Sequence, residues 1–157
     1  MNDTNTTEGG YVGSKMYTTT LPSVLSTYIT PVFGSHVLTY KSVLSTRVGT
    51  TLTNRWGSAT GASNDWAWQE RKLDLMTESE VFGTISWASS GYDIGDGHAQ
   101  LPLFALEPDF IIAKGANGTG RAVAWHRNVT SSTAFAAVNH NGRSDSSHAS
   151  NEWGVRP

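Results

Sequence analysis

The sequence predicts an α+β fold, with short antiparallel strands and long loops around one main helix. Three observations predict it. Gly, Ser, Thr and Asn are abundant while only 15% of the 157 residues are charged, a balance typical of turn-rich chains with many short strands. One segment after Thr20 repeats its apolar residues at helical spacing. Short β-prone runs then recur between polar turns over the last third. The length suits a single domain spanning 1–157, and 38% hydrophobic residues can supply one core.

Residues 1–10 are polar and Thr/Asn-rich and read as a flexible start. They hold no basic stretch followed by an apolar one, so no signal peptide is expected, and no later stretch is long enough to span a bilayer. Leu21, Val24, Leu25, Tyr28, Ile29 and Val32 then lay one apolar stripe along a helix predicted from Leu21 to Phe33. Pro22 fits its first turn, while Pro31 and Gly34 limit its end. His36 to Val48 is β-branched and alternating, which suits extended or partly helical chain. Asp65 to Met76 alternates large and polar side chains as a strand does, and Thr77-Glu78-Ser79-Glu80 can cap a short helix ending near Gly83.

Trp87 to Gly97 is dense in turn formers, and Leu101-Pro102-Leu103-Phe104-Ala105-Leu106 can fill core space. Gly115 to Gly120 reads as a hairpin loop, because neither a helix-forming run nor a Lys-Ser/Thr pair follows to make it a phosphate cradle. Strands are expected at Ala122 to Arg127 and Thr133 to Val138. From Asn139 to Glu152 the only apolar side chain is Ala149, so this stretch cannot build a core. Trp153 follows at once as an anchor, which implies a polar strip held on the fold.

Several function classes fall away. A net charge of −2, with no basic run longer than Arg71-Lys72, offers no field for nucleic acid or an anionic membrane. The absence of cysteine removes disulfides, thiolate metal sites and cysteine nucleophiles. Ser, His and Asp are plentiful, yet no nucleophile turn arranges them, so the chain is read as no enzyme and as needing no cofactor. Asp93 to His98 lacks the alternating carboxylates and terminal Glu of a calcium loop. His140, Asp145 and His148 have no spacing that preorganises zinc. Asn-x-Thr triplets at Asn5, Asn117 and Asn128 read as chance in a Thr-rich chain.

What remains is a display face. Asn, Ser, Asp and His carry mixed donors and acceptors on short side chains, so bonds to a partner form at modest entropic cost. The candidate ligand-binding residues are Trp125, His126, Arg127, Asn139, His140, Asn141, Arg143, Asp145, Ser147 and His148. Competing structural readings make Trp125 and Trp153 core fillers, and Arg127 and Arg156 buried residues paired with carboxylates such as Asp109 or Glu107.

The closing pattern Trp125-x-Arg127, Phe135-Ala136-x-Val138-x-x-x-Gly142, Ala149-Ser150 and Gly154-Val155-Arg156-Pro157 resembles the end of a family of phage and prophage tail-associated domains with a C-type-lectin fold. Asn5-Thr6-Thr7-x-Gly9-Gly10-Tyr11-x-Gly13-Ser14-x-Met16-Tyr17-Thr18-Thr19, Phe33-Gly34-Ser35-His36-Val37-Leu38 and Leu101 to Leu106 with Pro108 are similar to the same family. The resemblance covers most of the chain. It departs in lacking strand-forming residues before Asn5 and an apolar strand after Pro157, which implies a slice of a larger protein.

The resemblance implies a C-type-lectin-like scaffold whose polar face, about 125–152, meets the ligand and in some relatives is diversified. It implies host-surface recognition by a virion tail protein, an extracellular setting, a bacterial cell-surface protein or glycan as partner, and a homo-oligomer such as a trimer. Lectin-fold enzymes that oxidise sulfatase cysteines need cysteines that this chain lacks. Glu107-Pro108-Asp109 is similar to a calcium-lectin sugar loop, with Asn64 and Asp65 as oxygen ligands, but in this family's pattern Pro108 makes a structural corner. Two alternatives stand beside host recognition: a tail-assembly or decoration domain without a specific ligand, and a calcium-dependent glycan binder.

Overall fold

The computed structural model describes residues 1–45, 66–88, 99–114 and 121–154. Val48, the Asn64-Asp65 pair, the 93–98 turn, the 115–120 loop and Val155-Arg156-Pro157 lie outside the described residues. The architecture is mixed, with one main helical segment and small antiparallel sheets.

Helical backbone covers 16–33 as π turns at Met16–Thr20 and Leu25–Ile29 and α turns at Leu21–Val24 and Thr30–Phe33. It contains the predicted Leu21 to Phe33 span and begins before it. The end falls where expected, since Gly34 takes φ 52°, a conformation that side chains with a Cβ avoid. The apolar stripe needs correcting. Met16, Tyr17 and Leu21 join the core, whereas Tyr28 and Val32 are 68% and 73% exposed. Only the first part of the segment meets the core, so spacing alone overstated what the stripe buries.

β1 (Tyr40–Ser45) follows a 3-10 turn at Gly34–His36 and pairs antiparallel with β2 (Trp66–Arg71), Tyr40 opposite Arg71. The helix Glu78–Phe82 forms as its sequence dictates. Thr77 Oγ1 accepts the Glu80 amide at 3.0 Å, Glu80 Oε2 accepts the Thr77 amide at 2.7 Å, and Gly83 ends the turn at φ 75°. The expected core contribution of Leu101 to Leu106 shrinks to one residue. In the helix Pro102–Leu106 Phe104 is buried, while Leu101, Leu103 and Leu106 face solvent. Pro108–Ile111 is a 3-10 turn, the corner that the sequence suggested. β3 (Ala113–Lys114) and β4 (Arg121–Ala122) form a short antiparallel ribbon on either side of residues 115–120.

β5 (Ala124–Ser131), β6 (Ala134–Val138) and β7 (Ser144–His148) make the largest sheet, in the order β5-β6-β7. β6 is apolar and buried at every position, as a central strand covered on both faces must be. Phe135 and Ala137 join Trp125 and Val129 on the side that packs against Tyr11, Tyr17, Leu21, Leu44 and Leu75. The outer strand β7 gives part of the polar strip a regular structure that its composition does not announce. Hydroxyl side chains accept extended backbone once a neighbouring strand supplies the ladder, and β6 is that neighbour.

The polar start is tied to this sheet. The Asn2 amide donates to Ala149 O at 2.7 Å, the Thr7 amide to Ser132 O at 3.0 Å, and Thr7 Oγ1 to Ser131 O at 2.8 Å. Beyond β7, Gly154 bridges in parallel to Ala124, and the Trp153 ring stacks on Trp125 with centroids 4.9 Å apart.

Candidate binding face

The strip expected to contact a partner divides into a tight turn and a strand. Asn139 organises the turn. Its backbone amide donates to Arg143 O, its side-chain oxygen accepts the amides of Asn141 at 2.9 Å and Arg143 at 3.1 Å, and its carbonyl accepts the Gly142 amide at 2.9 Å. Asn139 is thus spent on holding the loop. Gly142 sits at φ 76°, and a Cβ there would come within 2.7 Å of Ile112 Cγ1. The side chains of His140, Asn141 and Arg143 project from this rigid base into solvent.

Along β7 the ladder phase decides which groups point where. Bonds from Asn139 N to Arg143 O and from Ala149 N to Thr133 O make the odd-numbered positions the bonded pairs, so Ser144, Ser146 and His148 turn their backbone groups away from β6. Two of these groups are covered locally. Asp145 Oδ1 accepts the Ser146 amide at 2.8 Å, and Asn151 N donates to His148 O at 3.0 Å. The side chains of Ser144, Ser146 and His148 lie on the sheet face away from the core. There Thr130 Oγ1 meets Ser146 Oγ at 2.7 Å, and Asn5 Nδ2 meets His148 Nδ1 at 2.9 Å. Ser147 is buried and accepts from Asn151 Nδ2 at 2.7 Å, so it serves the fold rather than the face. His140 in the turn and His148 at the far end of β7 are kept apart by the strand between them.

Trp125, His126 and Arg127 are corrected as contact residues. Their exposures are 1%, 2% and 8%, which leaves them almost no surface to offer. Trp125 fills the core beneath Trp153, and His126 packs edge-on to Phe82 at 5.6 Å. Arg127 is the buried, carboxylate-paired residue of the competing structural reading, but its partner is Asp74, with Nη1 3.5 Å from Oδ2, rather than Asp109 or Glu107. Tyr11 completes this group, donating its hydroxyl to Asp74 Oδ1 at 2.5 Å and accepting the Leu75 amide at 3.1 Å.

Burial governs the electrostatics of the cluster. It raises the Asp74 carboxyl above the usual carboxylate range, although the Tyr11 hydroxyl and the Arg127 guanidinium pull the other way. It also lifts the Tyr11 phenol well above its ordinary value, with the Asp74 charge adding to the effect. Tyr40, half-buried nearby, is pushed up to about 12, by burial first and Asp74 second.

One residue important to the face escaped the sequence reading. Glu78, fully buried, accepts the Ala88 amide at 2.7 Å, the Trp87 amide at 3.1 and 3.2 Å, and the Ser144 hydroxyl at 2.5 Å. Its own amide donates to Asn128 Oδ1 at 2.7 Å. This carboxylate ties the segment entering residue 88 to the root of the β6–β7 turn. The capping motif marked its helix, but nothing local to Thr77-Glu78-Ser79-Glu80 announces partners that far along the chain. Comparison of the chain with protein-family models, curated proteins and solved structures finds no match.

Proposed function

We propose that the chain is a non-enzymatic ligand-binding domain of the C-type-lectin kind from a phage or prophage tail protein, using the β6–β7 turn and the outer strand β7 for host-surface recognition. The observation that carries the reading is a set of solvent-facing hydrogen-bonding side chains, His140, Asn141, Arg143 and His148, on backbone held by the Asn139 bonds and the β6–β7 ladder. Such a base lets the face meet a partner at little ordering cost. The resemblance of the Trp125-to-Gly154 pattern to tail-associated domains supports the setting, a virion tail in which the domain works as a homo-oligomer. In this reading the face has shrunk from 125–152 to the exposed part of 139–148.

The test is whole-cell and glycan-array binding by the wild type and by a variant with His140, Asn141, Arg143 and His148 all changed to Ser. These exposed positions can be altered without disturbing Asn139, Asp145 or Ser147, which hold the scaffold. The expected result is loss of binding with little change in melting temperature, since the bond given up, from His148 to Asn5, is solvent-exposed. Equal binding by both proteins would remove this strip as the contact face.

A further inference from the structure

Asn141-Gly142 is an Asn-Gly pair, the dipeptide most open to spontaneous loss of a side-chain amide, because glycine leaves the backbone nitrogen after the asparagine unhindered. The reaction needs that nitrogen to reach its neighbour's side chain. The Gly142 nitrogen must give up its proton, swing toward Asn141 Cγ by rotation about the Asn141 Cα–C bond, and close a five-membered ring.

The β6–β7 turn obstructs both movements. The Gly142 amide already donates its proton to Asn139 O at 2.9 Å. On the other side of the rotating bond, the Asn141 amide donates to Asn139 Oδ1 at 2.9 Å. Asn139 therefore clamps the peptide groups on either side of the Asn141 Cα, one with its carbonyl and one with its side chain. Gly142 itself, at φ 76°, packs closely on Ile112. Asn141, by contrast, is exposed, so water has access to it. The residue combines a reactive sequence, an accessible side chain and an attacking nitrogen that the fold restrains.

We propose that Asn141 is a deamidation site whose conversion is gated by opening of the β6–β7 turn. Once the turn opens, the Gly142 nitrogen forms a bond to Asn141 Cγ, the bond from Cγ to the side-chain nitrogen breaks, and ammonia leaves with the proton that the Gly142 nitrogen gave up. Water then opens the resulting succinimide at one of its two carbonyls, giving aspartate or isoaspartate. One water is consumed and one ammonia released, and nothing is oxidised or reduced. The product places a carboxylate in the turn that carries His140 and Arg143. The isoaspartate form also lengthens the backbone that Asn139 clamps. The inference depends on the geometry of the turn and not on which ligand the face binds.

The experiment incubates the wild-type chain folded, and unfolded in guanidinium chloride, at one pH and temperature. Conversion at residue 141 is followed by peptide mapping with mass spectrometry, which separates it from Asn117-Gly118, the chain's other Asn-Gly pair. The folded chain should convert at least about tenfold more slowly, because opening must precede attack. Asn139→Ala, which removes the side-chain clamp, should bring the folded rate toward the unfolded one. Hydrogen exchange gives a second measure: folding should slow exchange of the Gly142 amide and conversion of Asn141 by factors that agree within a few-fold. That comparison uses the wild type alone, so it decides the matter should Asn139→Ala fail to fold. Equal rates in the folded and unfolded wild type overturn the gate, as do disagreeing factors or a folded Asn139→Ala that converts no faster than wild type. Absence of conversion at Asn141 in the unfolded chain overturns the site itself.

Discussion

Removing the Arg127 guanidinium leaves the Asp74 carboxylate buried beside Tyr11 without its cation. With side chains only 9% and 3% exposed, the pair sits where an uncompensated charge is costly. Arg127→Met should therefore lose about 3–5 kcal/mol of unfolding free energy in urea titrations. Asp74 adds a pH signature. Its folded value lies above the ordinary 3.8, so over that interval the native chain keeps a proton that the unfolded chain has released. Stability from this group consequently falls as pH rises through the interval. The stability advantage of wild type over Asp74→Asn should be greatest at the acid end and shrink toward neutrality, in urea titrations run from about pH 3.5 to 7. The sequence read Arg127 first as a contact residue and offered the buried cation paired with a carboxylate only as the competing reading, which burial now favours. The identity of that carboxylate was not legible, because Asp74 reaches Arg127 through the packing of the β1–β2 pair and the N-terminal turn rather than along the chain.

Elements with local causes were the readable ones. The helix Glu78–Phe82 follows from a cap and a terminator that lie within a few residues of each other, and the sequence contains both. β7 follows from nothing local: Ser144-Asp145-Ser146-Ser147-His148 has the composition of a loop, and the apolar neighbour β6 makes it a strand. The helical segment shows the reverse error. Its spacing is right, but how much of a stripe is buried depends on where the core ends, which spacing does not encode. The turn joining β6 to β7 depends most on Gly142. Gly142→Ala combines a left-handed backbone with a close approach to Ile112 Cγ1, and should cost about 1–2 kcal/mol by thermal or urea unfolding. It should also raise hydrogen exchange at Asn141 and Arg143, the amides that Asn139 holds.

At the scale of the whole molecule, the chain closes on itself through its aromatic anchor. Trp153 stacks on Trp125 while Gly154 exchanges backbone bonds with the 123–125 stretch, and the Asn2 amide donates to Ala149 O. Trp153→Ala should lower stability by roughly 2 kcal/mol, less than for a fully buried Trp because the ring is only partly covered. Faster amide exchange over 149–154 than over β6 in that variant would mark the anchor as local; uniform acceleration would mark it as part of the cooperative core. The sequence suggested both the anchor and the polar strip it pins. It concealed the arrangement of the strip, since Ser147 turns inward and Asn139 and Asp145 bond backbone, leaving fewer outward groups than the composition implied.

The carboxylate of Asp145, lying over the Ser146 amide, has a consequence for how such a surface can change through evolution. An outer strand with bare amides invites other chains to add to the sheet, and such pairing is indifferent to side chains. Covering the middle one of the three outward amides interrupts such pairing, so adhesion shifts toward the residues that project, and His140, Asn141, Arg143 and His148 can be exchanged to meet new partners while Asp145 weakens indiscriminate sticking.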